Sequence, residues 1–498
     1  MTGAVMMSAG PRARPAFEAA VVIAAAVLLV LVEVQGIDRP SFWYDEAATY
    51  SGASRPWASL WAMLGAIDAV HGLYYALMHP VAIAFGPDPF ALRLTSTLAV
   101  GGAAALVYAL ARQFGTRWSA AAAALLFAGL GRTSWMATEA RSFALTTLLA
   151  TLLTLLLLLA VRARRPLPLL VAYAVVAVVG IHVFLYVVLV VAAHVVTIAW
   201  LPLELRRRRR LLVATGVAAV LSIPLGIVVL TQRGQLGGVF PIDADAVRHV
   251  LVGEFFHREL GQGALAWLLL VAALLVAFVR RRLDGSHEPS PWRVLVPWLV
   301  LPTAVILLVS VVGPSVLQPR ALVLSAPAFC VVFAEAVRRA FGGVVAAVLA
   351  VAVAFAGIGA FAANRELTAK NADWPAPVAY LAEYSLPGDG VLYSTPIDYR
   401  TWPSLIGLMH EREVGDLVDV TLLVPGRDRA ALFAERSTSA AAIPRLERLE
   451  RVFYVRAQAL APAQIAADVA ALTAAGLVRE TVWTGPLTDV ETWVRTTL

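Results

Sequence analysis

Apolar runs long enough to cross a bilayer recur through the first three quarters of this chain, and they dictate its fold class. A stretch with no water around its backbone must close every N–H and C=O within itself, so such runs become helices. About eleven are legible at 19–36, 90–111, 118–136, 143–161, 166–181, 183–203, 211–230, 263–279, 292–313, 320–337 and 341–361. Composition agrees. Of 498 residues, 60% are hydrophobic and 15% charged, with a mean hydropathy of +0.77. Soluble domains carry about a quarter charged residues. The expectation is a polytopic α-helical membrane protein.

Arginines set the orientation. Arg12 and Arg14, Arg112 and Arg117, Arg162 to Arg165, the run at 206–210, Arg280 to Arg282, and Arg338 with Arg339 all fall on one side of an eleven-span chain. The positive-inside rule makes that side the cytoplasm. These short clusters account for the net charge of +7, and nucleic acid is not a partner they suggest. The apolar segment 73–86 is short and contains Pro80. It reads as a helix lying along the outer surface, packed on the bundle. The single cysteine, Cys330, excludes an intrachain disulfide and reads as a buried small hydrophobe.

After residue 363 the character changes. The segments 390–395, 420–424 and 451–457 read as strands, 462–476 as a helix ending at Gly476, and two further strands close the chain. The expected organisation is a membrane domain over 1–363, with a first outer loop at 37–90, and a soluble mixed α/β domain over 364–498. An odd number of spans carries that domain outside.

The outer loops and helix ends hold the ionisable residues. "SFWYDEAATY" brings Asp45 and Glu46, "DAVHGLYY" brings Asp68, His71, Tyr74 and Tyr75, "TEARSFAL" brings Glu139 and Arg141, "GIHVFLY" brings His182, and "LQPRALVLSAP" brings Arg320. Ionisable groups gathered at one membrane surface suggest a site there. Each also has a plain structural reading. "YDEA" is a passable helix start, and arginines at span ends can snorkel to headgroups. A transporter or lipid flippase would instead place ionisable groups near mid-span and repeat its halves. Almost no acidic or basic residue falls within the spans, Glu33 and Glu335 being near span ends, and no internal repeat is evident.

The order "WYDEA", "DAVHGLYY", "PDPFALRLTS", "TEARSFAL", "IHVFLY" resembles glycosyltransferase family 39 of the GT-C superfamily. The likeness is dense over about 40–190 and is nearest to bacterial mannosyltransferases of that type. The family includes protein O-mannosyltransferases and lipid A aminoarabinose transferases, and its donors are sugars on polyprenyl phosphate. Departures exist: "HGLYY" stands for His-Pro-Pro-Leu-Tyr, and "TEARSF" for Gln-Glu-Ala-Arg-x-Tyr. The resemblance implies a GT-C fold and Asp45 as catalytic base. It implies binding roles for Glu46, Asp68, His71, Tyr74, Tyr75 and Glu139, with Arg141, His182 and Arg320 as cations for the donor phosphate. It favours mannose, with arabinofuranose second. It leaves open a divalent cation, and whether the acceptor is a glycolipid, a polysaccharide or a protein.

Overall fold

The computed structural model describes residues 15–232, 234, 240–284, 291–394 and 402–496. Each expected apolar run forms helix. The long ones are α1 (Pro15–Glu33), α5 (Pro89–Ala111), α8 (Phe143–Arg162), α11 (Leu205–Thr231), α13 (Leu260–Asp284) and α14 (Trp292–Val312). With the continuous 319–341 segment, seven are long and apolar enough to cross a membrane. Shorter apolar helices complete the bundle: α6 (Arg117–Ala128), α9 (Leu167–Val183), α10 (Val187–Trp200) and α16 (Gly343–Ala356). Between α1 and α5 lie α2 (Tyr44–Ala53), α3 (Trp57–Ala66) and α4 (Gly72–Phe85). As expected, α4 packs on its neighbours through Tyr74, Tyr75 and Met78, while Leu77, Ile83 and Phe85 stay exposed.

Two expected spans are broken, and the breaks matter. The 118–136 run stops at Gly129 and restarts as α7 (Gly131–Ala137). The 341–361 run stops at Gly357 and restarts as α17 (Ile358–Ala363). Both glycines sit where backbones nearly touch. A Cβ on Gly129 would lie 2.2 Å from the Ala354 methyl, and one on Gly357 would lie 2.6 Å from the Gly129 carbonyl. Gln262 of α13 supplies partners for the interrupted backbone. Its amide donates to the carbonyls of Gly129 and Val353 at 2.6 and 3.0 Å, and its oxygen accepts from Gly131 N–H at 3.1 Å. Buried backbone groups freed by a break need such partners. The restart points Arg132, at the head of α7, inward. Between α11 and α13 lies a single turn, α12 (Ala246–Arg248), followed by a π-helical turn to Gly253. The last runs are α15 (Ala326–Phe341), entered through a 3₁₀ turn at Pro319–Ser325, and α18 (Pro375–Tyr384).

The C-terminal region holds a five-stranded mixed sheet of order β2-β1-β5-β7-β6. Its strands are β1 (Gly390–Tyr393), β2 (Val418–Asp419), β5 (Arg451–Ala457), β6 (Leu477–Thr484) and β7 (Thr488–Arg495). β1 runs parallel to β2 and β5, whereas β7 is antiparallel to both neighbours. The expected strand at 420–424 forms only as β3 (Leu422–Val424), which pairs with β4 (Glu435–Arg436) in a separate ladder. Gly476 follows the helix Pro462–Ala474 with a φ of +79°, a left-handed stop suited to glycine. The end of the expected 390–395 strand lies partly outside the described residues.

The two regions are sewn together at the first outer loop. Ser41 N–H donates to the Leu367 carbonyl at 2.9 Å, and Trp374 N–H to Ser41 Oγ at 3.0 Å. Arg55 donates to the carbonyls of Arg429, Ala431 and Leu432.

Candidate active site

The sequence pair Asp45–Glu46 opens α2, and the structure separates the two carboxylates completely. Glu46 points into the protein and is fully buried. Arg93 of α5 grips it with two bonds of 2.7 Å, and the Ala140 N–H donates to it at 2.9 Å. The same guanidinium donates to the carbonyls of Ile37, Pro40 and Ser41. Glu46 is therefore a structural anchor that ties the first loop to α5 and to the 138–142 turn, not a group facing open space.

Asp45 turns the other way and meets Arg320. Arg320 Nη1 lies 2.5 Å from Asp45 Oδ2 and 3.6 Å from Glu139 Oε1. Trp43 and Phe143 flank the guanidinium at 5.0 and 5.5 Å from their ring centres. Burial pushes the Asp45 carboxyl up, but Arg320, Arg141 and Lys370 outweigh it and hold it below the usual carboxylate range. Burial raises Glu139 further than Lys370 and Arg320 can lower it, and Asp45 and Glu46 add to the rise. Two nearby carboxyls are thus pushed apart in acidity, the pattern by which sites divide acid and base roles.

Behind Asp45 stands Arg141. It donates to the Asp45 carbonyl at 3.3 Å, Thr49 Oγ1 at 3.4 Å, Tyr75 Oη at 3.3 Å and His71 Nε2 at 2.7 Å. Tyr75 Oη in turn donates to Asp68, and His71 stacks on Phe184 at 5.1 Å. Tyr74 is buried beside them. Burial, with Arg141 close by, keeps the His71 imidazole neutral, so its Nε2 can accept. Asp68, His71, Tyr75 and Arg141 are thus brought into one network on the inner side of α2. His182 is not joined to it by any hydrogen bond or ion pair among the described residues; its Nδ1 donates to the Val178 carbonyl one turn back at 2.8 Å.

Arg320, on its other side, lines a cavity of about 300 Å³. Its cations are Arg320, Lys370, Arg132, Arg248 and Arg258, and His249 and His257 add imidazoles. No carboxylate lines it among the described residues. Neither Arg141 nor His182 lines it, although both read from the sequence as phosphate-binding cations. The sequence reading missed most of those that do. Lys370 lies in the connection after the last span, where only a charge break was legible. Its Nζ sits 3.6 Å from the Trp135 ring centre and 3.4 Å from Thr138 Oγ1. Burial lowers its pKa to about 8 despite Glu139 and Glu46. Trp135 Nε1 donates to Glu139 at 3.0 Å, and its ring stacks on His257 at 4.4 Å. Such a cavity suits a phosphate ester: several cations, no carboxylate among its lining residues, and walls of indole. Among the described residues, no cluster of three or more His, Cys, Asp or Glu is arranged to hold a metal ion.

This architecture is that of the GT-C fold, here an apolar helical bundle whose helix ends on one face carry a polar cluster next to a C-terminal sheet region. Solved structures with the same fold include ArnT from Cupriavidus metallidurans, in its apo state and bound to undecaprenyl phosphate. The apo form aligns over 96% of this chain and 98% of its own at 12% identity, with a TM-score of 0.59; the bound form aligns over the same shares at 13%, with 0.57. The arabinofuranosyltransferase AftD from Mycobacteria aligns over 98% of this chain but only 40% of its own, at 16% identity and a TM-score of 0.52. The archaeal oligosaccharyltransferase AglB from Archaeoglobus fulgidus, in complex with an inhibitory peptide and a dolichol-phosphate, aligns over 95% and 74% at 12%, with 0.52. No family model matches the sequence, and no curated protein does. The chain is an integral membrane protein of GT-C fold.

Proposed function

We propose that the protein is a membrane glycosyltransferase that moves a sugar from polyprenyl phosphate to an acceptor hydroxyl, with inversion. The observation that carries this is the Asp45–Arg320 pair, whose arginine lines a cavity with several cations and no carboxylate among its described lining residues. The neighbours' titles support the lipid class: one holds undecaprenyl phosphate and another dolichol-phosphate. Asp45 takes the proton of the acceptor O–H as that oxygen attacks the anomeric carbon. The bond from that carbon to the phosphate oxygen breaks, and the phosphate leaves with the electron pair. One-step displacement inverts the centre, as in inverting glycosidases. Arg320, Lys370 and Arg132 offset the charge on the departing phosphate. Arg141 positions Asp45 through its backbone and the Tyr75–His71 network, and Glu46 positions it through Arg93. Glu139, 3.6 Å from Arg320, stands beside the reacting groups, and Asp68 supports Tyr75 in the network behind Asp45.

The motif order favours mannose, and the contact between the first loop and the C-terminal region, together with the arginine pattern, supports an extracytoplasmic site. Purified protein supplied with radiolabelled polyprenyl-phosphate mannose or arabinofuranose and membrane extract tests the reading. Labelled product from the mannosyl donor is the expected result. Labelling only from the pentosyl donor overturns the sugar, and labelling from neither overturns the reaction.

A further inference from the structure

The opposite side of α2 borders a second open space. Asp45 and Thr49 lie on one face of this helix, while Tyr50, Ser51 and the following Ser54 border a cleft of about 470 Å³ shared with the C-terminal region. Trp402 and Phe433 stand on its wall with ring centres 6.0 Å apart. Tyr44, the residue before Asp45, packs edge-on against both, at 5.6 and 5.2 Å. Polar groups are interleaved. Arg436, paired with Asp419 at 2.7 Å, reaches the lining, as does the exposed Glu411. Tyr393 of β1 supplies the second, independent sign. It is 1% exposed, it lines the cleft, and its hydroxyl has no hydrogen-bond partner among the described residues. A buried hydroxyl left unsatisfied costs free energy unless a ligand completes it.

We infer that this cleft binds the acceptor as a glycan chain, holding sugar units a few rings away from the hydroxyl that reacts at Asp45. This rests on the transferase reading. Aromatic rings interleaved with hydrogen-bonding side chains match a sugar, which offers C–H faces for stacking and hydroxyls around its rim. A peptide docking by strand addition would need an open sheet edge, and β2, the edge strand on this side, is only two residues long. The cleft-lining Tyr50, Ser51 and Ser54 follow Asp45 by five to nine residues, about 8–14 Å along the helix axis at 1.5 Å each.

The test uses the full chain in lipid nanodiscs, free of maltoside detergent. Binding of manno- and arabino-oligosaccharides, of a Ser/Thr-containing hexapeptide and of undecaprenyl phosphate is followed calorimetrically. The expected result is oligosaccharide binding that tightens with chain length. Trp402→Ala and Tyr393→Phe should each weaken it roughly two- to tenfold, the range for losing one ring contact or one hydrogen bond, with undecaprenyl phosphate binding unchanged. Tyr393→Phe keeps the ring, so it answers even where Trp402→Ala fails to fold. Undecaprenyl phosphate binding without oligosaccharide binding overturns the cleft and leaves the transferase reading standing. Oligosaccharide binding without undecaprenyl phosphate binding does the reverse. Preference for the peptide, or oligosaccharide binding indifferent to both variants, also overturns it.

Discussion

Arg320 occupies Asp45: the guanidinium lies 2.5 Å from the carboxylate that the sequence marks as the base. A carboxylate so paired is a weak base, because the cation favours its charged form. Arg320 also lines the cationic cavity, so an anion arriving there competes for it. Donor phosphate drawing Arg320 away would raise the basicity of Asp45 as the donor becomes bound, and an acceptor would be activated only beside a loaded donor. Arg320→Ala should therefore weaken polyprenyl phosphate binding by roughly ten- to a hundredfold, the worth of a charge-assisted hydrogen bond. Arg320→Lys should restore it only in part, since lysine lacks the planar fork. Equal binding by wild type and Arg320→Ala in a titration would remove Arg320 from the phosphate site.

Removing the base should leave donor binding intact. Asp45→Asn is expected to bind polyprenyl phosphate at least as well as wild type, because Arg320 loses its internal partner. Transfer should fall by at least roughly a hundredfold, the loss of a general base. Turnover near wild type in a single-turnover assay would take Asp45 out of the mechanism.

Glu46 and Asp45 are sequence neighbours, yet their variants should fail differently. Glu46→Ala leaves Arg93 as an uncompensated buried cation, which costs about 3–5 kcal/mol. Its signature is a lower melting temperature and a reduced yield of folded protein, ahead of any specific effect on KM. A stable Glu46→Ala with only a raised KM would show that Glu46 touches substrate instead.

Donor binding should weaken in alkali earlier than an ordinary lysine would predict. The pKa of Lys370 is lowered to about 8, so its charge is present below that pH and is lost as pH rises through it. A bound phosphate favours the charged form and raises that pKa. Affinity should therefore be flat below about pH 8 and decline above it, by up to about tenfold per unit. Lys370→Arg should move the decline to higher pH. An unchanged alkaline limb in that variant would assign it to another group.

Contact between Ser41, Leu367 and Trp374 puts the first loop and the segment after the last span on one side. With Cys330 replaced, single cysteines on either should react with an impermeant thiol reagent added from outside. Reaction at only one would contradict the eleven-span arrangement.

How much of this was legible beforehand depends on the kind of signal. The apolar runs, the arginine clusters and the change of character after residue 363 are local properties, and each dictated its element: a lipid-facing backbone must be helical, and cationic loops resist translocation. Asp45, Glu139 and Arg320 were readable as a group because each sits at the outer end of an apolar run, and the structure does bring them together. Nothing local distinguished Asp45 from Glu46 or Arg141 from Arg320, and Lys370, the single lysine of the chain, carried no local sign of a buried partner. Those distinctions depend on which partner each side chain meets across 47 to 275 residues of chain. Gly129 and Gly357 read as ordinary positions within apolar spans, because the close approach that breaks both helices exists only once the bundle has packed. What the sequence determined alone was the helical bundle and the mixed region that follows it; the bundle's orientation and the surface proposed to bear the site rest on the arginine pattern and the resemblance. Which carboxylate meets Arg320, and which cations line the cavity, were decided by tertiary packing, since a buried charge settles only where a distant part of the chain supplies its counterpart.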